Sequence, residues 1–236
     1  LDMTVDVTFD EDYLDTGGAF ARYRAATGWN PPNPKFGALG LHEFLGTLPR
    51  ADKSHGHSFH YVSPNTDLLG WILERAGGDT LANQLSKSIW QPVGAGHDAY
   101  VTIDRLGASR AAGGICTTLR DLACFGEMVR NAGAANGHQI VPRSWIDDIW
   151  SNGDPAAWQR GSMVKLFPRG RYRSQWYISS DHAPALCAIG IHGQWIYINP
   201  GRKLVIVKQS SQAVPLDDRL DNLNLSLFEA IAQVSD

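Results

Sequence analysis

The sequence predicts an α+β protein, with a mostly helical and loop region over about residues 1–170 and an antiparallel sheet with a covering helix over about residues 171–236. Apolar residues recur at helical spacing in the first region, whereas alternation and short apolar runs dominate after residue 170. One long amphipathic stretch follows these runs, which is typical of a helix that packs on a sheet. No repeat or flexible linker interrupts the 236 residues, so we expect one domain.

The composition excludes several classes of protein. With 43% hydrophobic and 19% charged residues, the chain is neither a disordered tail nor a coiled coil. Its formal net charge of −3 gives no basic excess for a phosphate backbone, so no nucleic-acid partner is expected. No apolar run approaches the ~20 residues that span a bilayer. Three widely spaced cysteines without a C-x-x-C pair fit a reducing compartment, and we expect a cytoplasmic protein without membrane contact.

The helical region begins with about 60 loop-rich residues, broken by one short amphipathic helix at about residues 41–48. Ser63 followed by Pro64 predicts the N-cap and first turn of a longer helix, and Gly77-Gly78 predicts its end. Its apolar residues share one side of the helix: Leu68, Leu69, Ile72, Leu73 and Ala76.

Three further helices are expected before residue 160. One runs over about residues 80–89. The next is capped by Thr118-x-x-Asp121 and closed by Gly133, and the last covers about residues 144–150.

The second region predicts an antiparallel meander of four strands. The side chains of residues 171–178 alternate between two sets with period two, which predicts one strand. Residues 186–191, 194–199 and 204–207 form short apolar, aromatic or β-branched runs, which predict three more. A helix over about residues 218–234 should cover one face of this sheet. Its apolar side comprises Leu220, Leu223, Leu227, Phe228 and Ile231.

Tyr61 is the first candidate for chemistry, because the step Tyr61-Val62-Ser63 places a phenol just ahead of a helix start and its positive dipole end. A tyrosine acts as a general base only if nearby cations lower its pKa from about 10. The alternative is a packed tyrosine whose hydroxyl bonds to the backbone.

The second candidate is the run Gly190-Ile191-His192-Gly193 on a predicted strand. Its glycines allow close approach to the strand backbone, and a free N–H there could donate to an oxyanion. A bulge or bend in the strand explains the glycines equally well.

Two polar clusters are interpreted as solvated turns. His55-x-His57-x-x-His60 has metal-like spacing, but its Gly-Ser composition favours a loop, and no metal is predicted. The acidic residues near the start match no cation-binding loop. They are Asp10, Glu11, Asp12 and Asp15.

Ser162-Met163-Val164-Lys165 is a literal S-x-x-K, the nucleophile motif of serine β-lactamases and penicillin-binding proteins. That chemistry needs the serine and lysine one turn apart on a buried helix. No helical pattern surrounds this tetrapeptide, and it follows Tyr61 rather than preceding it. We interpret it as a coincidence.

Three motifs in order carry a family resemblance: Tyr61-x-Ser63, the turn 112–115 before Thr117-Thr118-Leu119-Arg120-Asp121-Leu122, and Gly190-Ile191-His192-Gly193. Together they resemble the serine β-lactamase-like and penicillin-binding-protein-like family. Within it the chain is most similar to 6-aminohexanoate-dimer hydrolases and related carboxylesterases. The stretches 11–15, 67–71 and 170–175 are also similar.

The resemblance implies roles for particular residues. Tyr61 matches the tyrosine that exchanges a proton with the nucleophilic serine, and Ser63 matches the polar residue that orders the site. The Ile191 N–H would help to form the oxyanion hole, with Gly190 in place of the glycine of K-T-G. Tyr13 would meet the substrate. His192, the next residue after Ile191, is a second substrate-binding candidate.

Two departures from the family pattern bear on function. Ile189 replaces the polar residue of the third motif, which argues against β-lactam hydrolysis. The S-x-x-K serine and lysine, which precede the other motifs in the family, are absent, so the chain resembles the C-terminal portion of one β-lactamase-like domain, with the N-terminal part of the fold missing.

The expected function is therefore that of a serine hydrolase. It would be an amidase or esterase that acts on a small-molecule amide or ester through an acyl-enzyme, without cofactor or metal. This chain alone should be inactive. Two alternatives are a catalytically inactive binding module of the same fold and an unrelated α+β interaction protein. The sequence predicts no oligomeric state.

Overall fold

The computed structural model describes residues 1–31, 33–37, 39–52, 54–180 and 184–234. Helices, loops and two short strand pairs occupy the chain up to residue 170, and the main sheet follows. The α-helices are α1 Ala19–Ala26, α2 Leu41–Leu45, α3 Ser63–Gly77, α4 Leu81–Leu85, α5 Leu119–Arg130, α6 Arg143–Ser151, α7 Pro155–Gln159 and α8 Asp218–Val234.

Two small antiparallel pairs precede the main sheet. They are β1 Tyr100–Val101 with β2 Ile115–Cys116, and β3 Ala134–Ala135 with β4 His138–Gln139. The main sheet comprises β5 Arg171–Arg173, β6 Trp176–Ile178, β7 Leu186–Gly190, β8 Gln194–Asn199 and β9 Leu204–Lys208. Its strand order is β5-β6-β7-β8-β9, with every neighbouring pair antiparallel. The α+β class and the meander are confirmed.

The sheet has five strands in place of the four expected, because residues 171–178 form a hairpin. Ser174 and Gln175 both have positive φ, 51° and 72°, and together they make the two-residue turn between β5 and β6. Such conformations favour glycine or asparagine. The turn contains neither glycine nor asparagine, so no turn signal interrupts the alternation that predicts one continuous strand.

The sheet is packed on both faces. Met128 and Val129 of α5 join Ile196 and Ile198 of β8 in one core cluster. On the opposite face, the Phe228 ring of α8 contacts Trp195 and Tyr197, with centroids 5.6 and 5.7 Å away. Residues adjacent along β8 therefore point to opposite faces, as the pleat requires.

Helix α5 approaches the sheet closely at Gly126. A Cβ there would lie 2.7 Å from Val205 Cγ1 and 3.4 Å from Ile196 Cγ2. We expect Gly126→Ala to lower the free energy of unfolding in urea, because overpacking typically costs about 1–3 kcal/mol and outweighs alanine's helix preference of about 1 kcal/mol. Val205→Ala removes the obstructing methyl, so the double variant should recover much of the loss. A stabilised Gly126→Ala protein would contradict this packing.

The covering helix has the predicted bounds, but its buried side differs from the expectation. Phe228 is buried as expected, together with Asn224 and Ala232, whereas Leu223 and Leu227 are exposed at 61% and 53%. Apolar periodicity locates an apolar side without showing which surface covers it.

Helix α3 presents the same situation. Its apolar side faces outwards, with Leu68, Ile72 and Leu73 exposed at 40%, 50% and 52%. Asp67 and Gly70 are buried instead. A Cβ at Gly70 would lie 2.5 Å from the Ala111 side chain, so the small residue permits the turn after Arg110 to approach the helix.

The helix-end predictions have mixed outcomes. Thr118 caps α5, since its Oγ1 accepts the Asp121 N–H at 3.1 Å, and Gly78 ends α3 with a φ of 66°. The first 60 residues contain a helix, α1, that was not predicted. Its N-cap is Gly18, which has no side chain to cap the helix and gives no capping pattern.

A separate core cluster, away from the main sheet, supports the start of α3. It joins Phe9, Phe20, Tyr23 and Phe44 to Val62, which is fully buried at the N-cap position of α3. Because α1 and α2 enclose Val62, the neighbouring residues Tyr61 and Ser63 are held on a fixed segment of backbone.

Candidate functional site

Tyr61 lies at the end of an extended segment that leads into α3. This segment is anchored on both sides, since the Phe59 N–H donates to Ala157 O at 2.9 Å and the His60 N–H donates to Met3 O at 2.8 Å. The Tyr61 ring packs against the core and meets Tyr172 edge-on, with ring centroids 6.5 Å apart. The phenol therefore has a defined position ahead of the helix.

Ser63 does not cap α3 as the sequence predicts. The N-cap residue is Val62, and the Ser63 N–H donates to Glu11 Oε1. Ser63 itself is buried, and this backbone hydrogen bond joins the start of α3 to the segment that carries Glu11.

Glu11 is not part of a solvated turn. The residue is half-buried, and burial raises the pKa of its carboxyl above the ordinary value although the hydrogen bond from the Ser63 N–H opposes the rise. Its Oε2 is buried with no hydrogen-bond partner among the residues that the structure describes. The acidic run hid this residue because its neighbours Asp10 and Asp12 are exposed, and only Glu11 points inwards.

The two tyrosines of this cluster are held as neutral phenols. Burial, and next the negative charge of Glu11, raise the pKa of Tyr61 to about 12. The same two causes raise the pKa of Tyr13 further above its usual value. Arg110 lowers the pKa of Tyr61 but is outweighed. The lowered pKa that a tyrosine base needs is therefore not produced by the described residues around Tyr61.

A buried network next to this cluster was not predicted. Asp67 accepts the Ala111 and Ala112 N–H groups at 2.7 and 2.8 Å, and also the Tyr23 hydroxyl. Arg110 donates to that hydroxyl at 3.2 Å. Asp67 therefore fixes the turn 110–114 against α3. The sequence feature that could have indicated this network is an aspartate inside a predicted helix, one turn after Ser63.

The predicted oxyanion segment lies at the tip of the β7–β8 hairpin. Gly190 ends β7 opposite Gln194, and Ile191 begins the turn. Outside the strand ladder, no backbone acceptor in the described part of the chain pairs with the Ile191 N–H. Ile189 packs against the same core cluster as Tyr61, which connects this hairpin to the tyrosine through the core.

His192 holds a neighbouring loop. Its φ is 59°, its N–H donates to Pro215 O at 2.9 Å, and its Nδ1 lies 2.8 Å from Gln212 O. Gln212 returns a bond through its N–H to His192 O at 3.2 Å. With one ring nitrogen engaged in this way, only Nε2 of His192 remains for a substrate.

The other sequence motifs stay apart from this cluster. His55 Nδ1 accepts the Asp6 N–H at 2.9 Å, and His60 Nε2 lies 2.9 Å from Phe9 O. Ser162–Lys165 forms a short 3₁₀ helix in which both end residues are exposed. No group of three or more metal-ligating side chains occurs in the described ranges. Among the helices described here, none is long and apolar enough to cross a membrane.

A family profile for Beta-lactamase matches residues 16–229, and the chain therefore belongs to the β-lactamase family. The resemblance found in the sequence is confirmed. A 6-aminohexanoate-dimer hydrolase from Paenarthrobacter ureafaciens is 35% identical over 215 residues, which are 91% of this chain and 54% of the relative. The chain thus spans about half the length of that protein.

Solved structures agree on the fold. A Bacillus anthracis protein described as a 6-aminohexanoate-dimer hydrolase superposes with a TM-score of 0.85 at 28% identity, covering 98% of this chain and 59% of that one. Simvastatin synthase from Aspergillus terreus reaches a TM-score of 0.60 at 15% identity, over 92% of this chain and 68% of its own. The second likeness concerns the fold alone.

Proposed function

We propose that this chain is the C-terminal part of a serine hydrolase that cleaves small amides or esters through an acyl-enzyme. The observation that carries the proposal is the fixed Tyr61 phenol just ahead of α3, which packs edge-on against Tyr172. The nucleophilic serine and its lysine would come from an S-x-x-K segment outside these 236 residues. The 35% identity to a 6-aminohexanoate-dimer hydrolase supports an amide substrate.

Each step of the proposed reaction has a residue to perform it. The serine oxygen attacks the carbonyl carbon, and the Ile191 N–H together with the serine's own N–H stabilises the oxyanion. The lysine of the S-x-x-K segment takes the proton of the attacking serine, and Tyr61, a phenol at neutral pH, donates its proton to the leaving nitrogen or oxygen. Tyr61 recovers a proton when water attacks the acyl-enzyme, and the lysine returns its proton to the serine oxygen as the acid leaves. Gly190 and Ser63 would keep these groups in position, while Tyr13 and His192 would contact the substrate. No metal or organic cofactor takes part.

The exposed apolar residues support a missing partner segment. Two helices leave apolar sides open to solvent, α3 with Leu68, Ile72 and Leu73 and α8 with Leu223 and Leu227. Such patches usually mark surfaces that another polypeptide covers. A segment that carries the serine next to Tyr61 would begin beside α3, so one polypeptide could supply the nucleophile and cover apolar surface.

The test compares the chain alone with a fusion. The fusion joins to residue 1 whatever part of the Paenarthrobacter ureafaciens relative precedes its match to this chain. We expect the fusion to hydrolyse p-nitrophenyl acetate and to react with a fluorophosphonate, because it contains both halves of the site. The chain alone should do neither. Turnover by the chain alone, abolished by Ser162→Ala, would show that Ser162 is the nucleophile and the proposed site is wrong.

A binding module without turnover is the second candidate. The raised pKa of Tyr61, with no described cation strong enough to lower it, is the observation that favours it. A well-folded fusion that binds small amides but forms no fluorophosphonate adduct would support this alternative. The cytoplasmic location remains a prediction in either case.

A further inference from the structure

The turn between β5 and β6 is made of two residues that its backbone conformation does not favour. Ser174 and Gln175 both have positive φ, as a two-residue hairpin turn requires, although glycine and asparagine adopt that conformation at a lower cost. Backbone strain of this kind occurs frequently at functional sites. The shape of the turn therefore does not explain why residue 175 is a glutamine.

The Gln175 side chain joins two elements that adjoin Tyr61. Its Oε1 accepts the Tyr172 hydroxyl of β5 at 2.9 Å and the Thr66 hydroxyl of α3 at 3.0 Å. Thr66 lies one turn after Ser63, at the beginning of α3. Since an amide oxygen accepts two hydrogen bonds, both of its lone pairs are used here. One oxygen atom therefore connects β5 to the start of α3.

Tyr172 is the aromatic residue through which this bridge reaches the candidate site. Its ring is buried and meets the Tyr61 ring edge-on, with centroids 6.5 Å apart, and the Phe59 ring lies 5.1 Å away. Phe59 and Tyr61 belong to the same extended segment, so Tyr172 packs against that segment at two points. A shift of the Tyr172 ring would therefore change the surface against which Tyr61 packs.

We propose that Gln175 is a positioning residue for Tyr61, because its Oε1 fixes the Tyr172 ring against which the Tyr61 phenol packs. The role rests on the proposed function, since it affects catalysis only if Tyr61 transfers a proton. Proton transfer depends on the geometry of the donor, and a misplacement of about 1 Å can cost about 10²-fold in rate. A bridge that only attached the sheet to α3 would affect stability without this effect on rate.

Two substitutions of similar length separate the acceptor oxygen from the rest of the side chain. Gln175→Met keeps the length and removes the oxygen, whereas Gln175→Glu keeps an oxygen that can accept both hydroxyls. Neither residue eases the positive φ, so the backbone strain is the same in both variants. Ser174→Gly is the matched control, because it eases the neighbouring backbone position and the Ser174 hydroxyl has no partner among the described residues.

The first measurement is the steady-state kinetics of the fusion on an amide. We expect Gln175→Met to lower kcat about 10-fold with little change in KM, while Gln175→Glu and Ser174→Gly stay within about 2-fold of the original. In a Tyr61→Phe background, Gln175→Met should cause little further loss, because its effect passes through the Tyr61 phenol. Equal losses in the methionine and glutamate variants, or a full further loss in the Tyr61→Phe background, would overturn the proposal.

The second measurement needs no turnover and uses the chain alone. The NMR signals of ¹³C-labelled Tyr61, assigned with Tyr61→Phe, should shift in Gln175→Met and keep their positions in Gln175→Glu. Tyr172→Phe removes only the hydroxyl that Gln175 holds and should also shift them, which keeps the test decisive if Gln175→Met fails to fold. Unchanged Tyr61 signals, or loss of the fold in both variants, would contradict a positioning role. An inactive fusion would overturn the proposed function without affecting these signals.

Discussion

Replacing Tyr61 by phenylalanine in the fusion should lower kcat for an amide by about 10²- to 10⁴-fold, the usual contribution of general acid–base catalysis. The ring stays packed against Tyr172 and the core, so folding and KM should change little. The loss should fall on kcat because the proton is transferred in the transition state. Steady-state kinetics on a matched amide and activated ester would measure it.

The comparison of substrates makes this test specific. An amine must be protonated to leave, whereas an activated phenolate leaves unaided. The Tyr61→Phe variant should therefore show a smaller fall in kcat for the ester than for the amide. Tyr197→Phe is the matched control, since its hydroxyl contacts only Asn199 among the described residues and it packs under α8. Near-full amidase activity in Tyr61→Phe would identify Tyr61 as a packing residue.

Replacing Asp67 by alanine should lower the free energy of unfolding more than any other substitution predicted here. Its carboxylate accepts two backbone N–H groups and the Tyr23 hydroxyl inside the protein. Each fully buried donor left unpaired costs about 1–3 kcal/mol, and because the bonds to the two N–H groups are only part-buried, we expect a total near 3–5 kcal/mol. The midpoint of urea unfolding should fall sharply while the slope stays constant.

Two variants control the Asp67 experiment. Asp98→Ala removes an exposed aspartate of the same charge and should leave the midpoint close to the original. Asp67→Asn keeps one acceptor oxygen for the Ala111 and Ala112 N–H groups, and it should lose less than the alanine variant. Equal losses in both Asp67 variants would mean that charge, rather than hydrogen-bond pairing, stabilises this turn.

The elements that sequence predicts well are those encoded by local signals. The bounds of α8 and of β8 agree with the prediction, and the Thr118 cap is present, because propensity, periodicity and caps act within a few residues. The orientation of α8 was less accessible. Leu223 and Leu227 are apolar in sequence whether or not a neighbouring surface covers them.

The candidate site shows the same division. Tyr61 was accessible because it precedes a helix start, and Ile191 because glycines flank its turn. The burial of Glu11 and the predicted cap at Ser63 were misjudged, since both depend on a contact across 52 residues that no local pattern encodes. Asp67 was missed for a similar reason, because it contacts the turn after Arg110 from 44 and 45 residues away.

The hairpin turn at Ser174 and Gln175 combines two neighbouring residues whose side chains have different importance for the structure. Both have positive φ, which favours glycine or asparagine. Gln175 Oε1 accepts the Tyr172 hydroxyl at 2.9 Å and the Thr66 hydroxyl at 3.0 Å, and so ties the sheet to α3. The Ser174 hydroxyl is buried without a described partner. Glycine or asparagine at Ser174 would therefore relieve the backbone without the loss of a described hydrogen bond. At Gln175 the same change would remove the two hydrogen bonds of the side chain, which outweigh the easier backbone conformation.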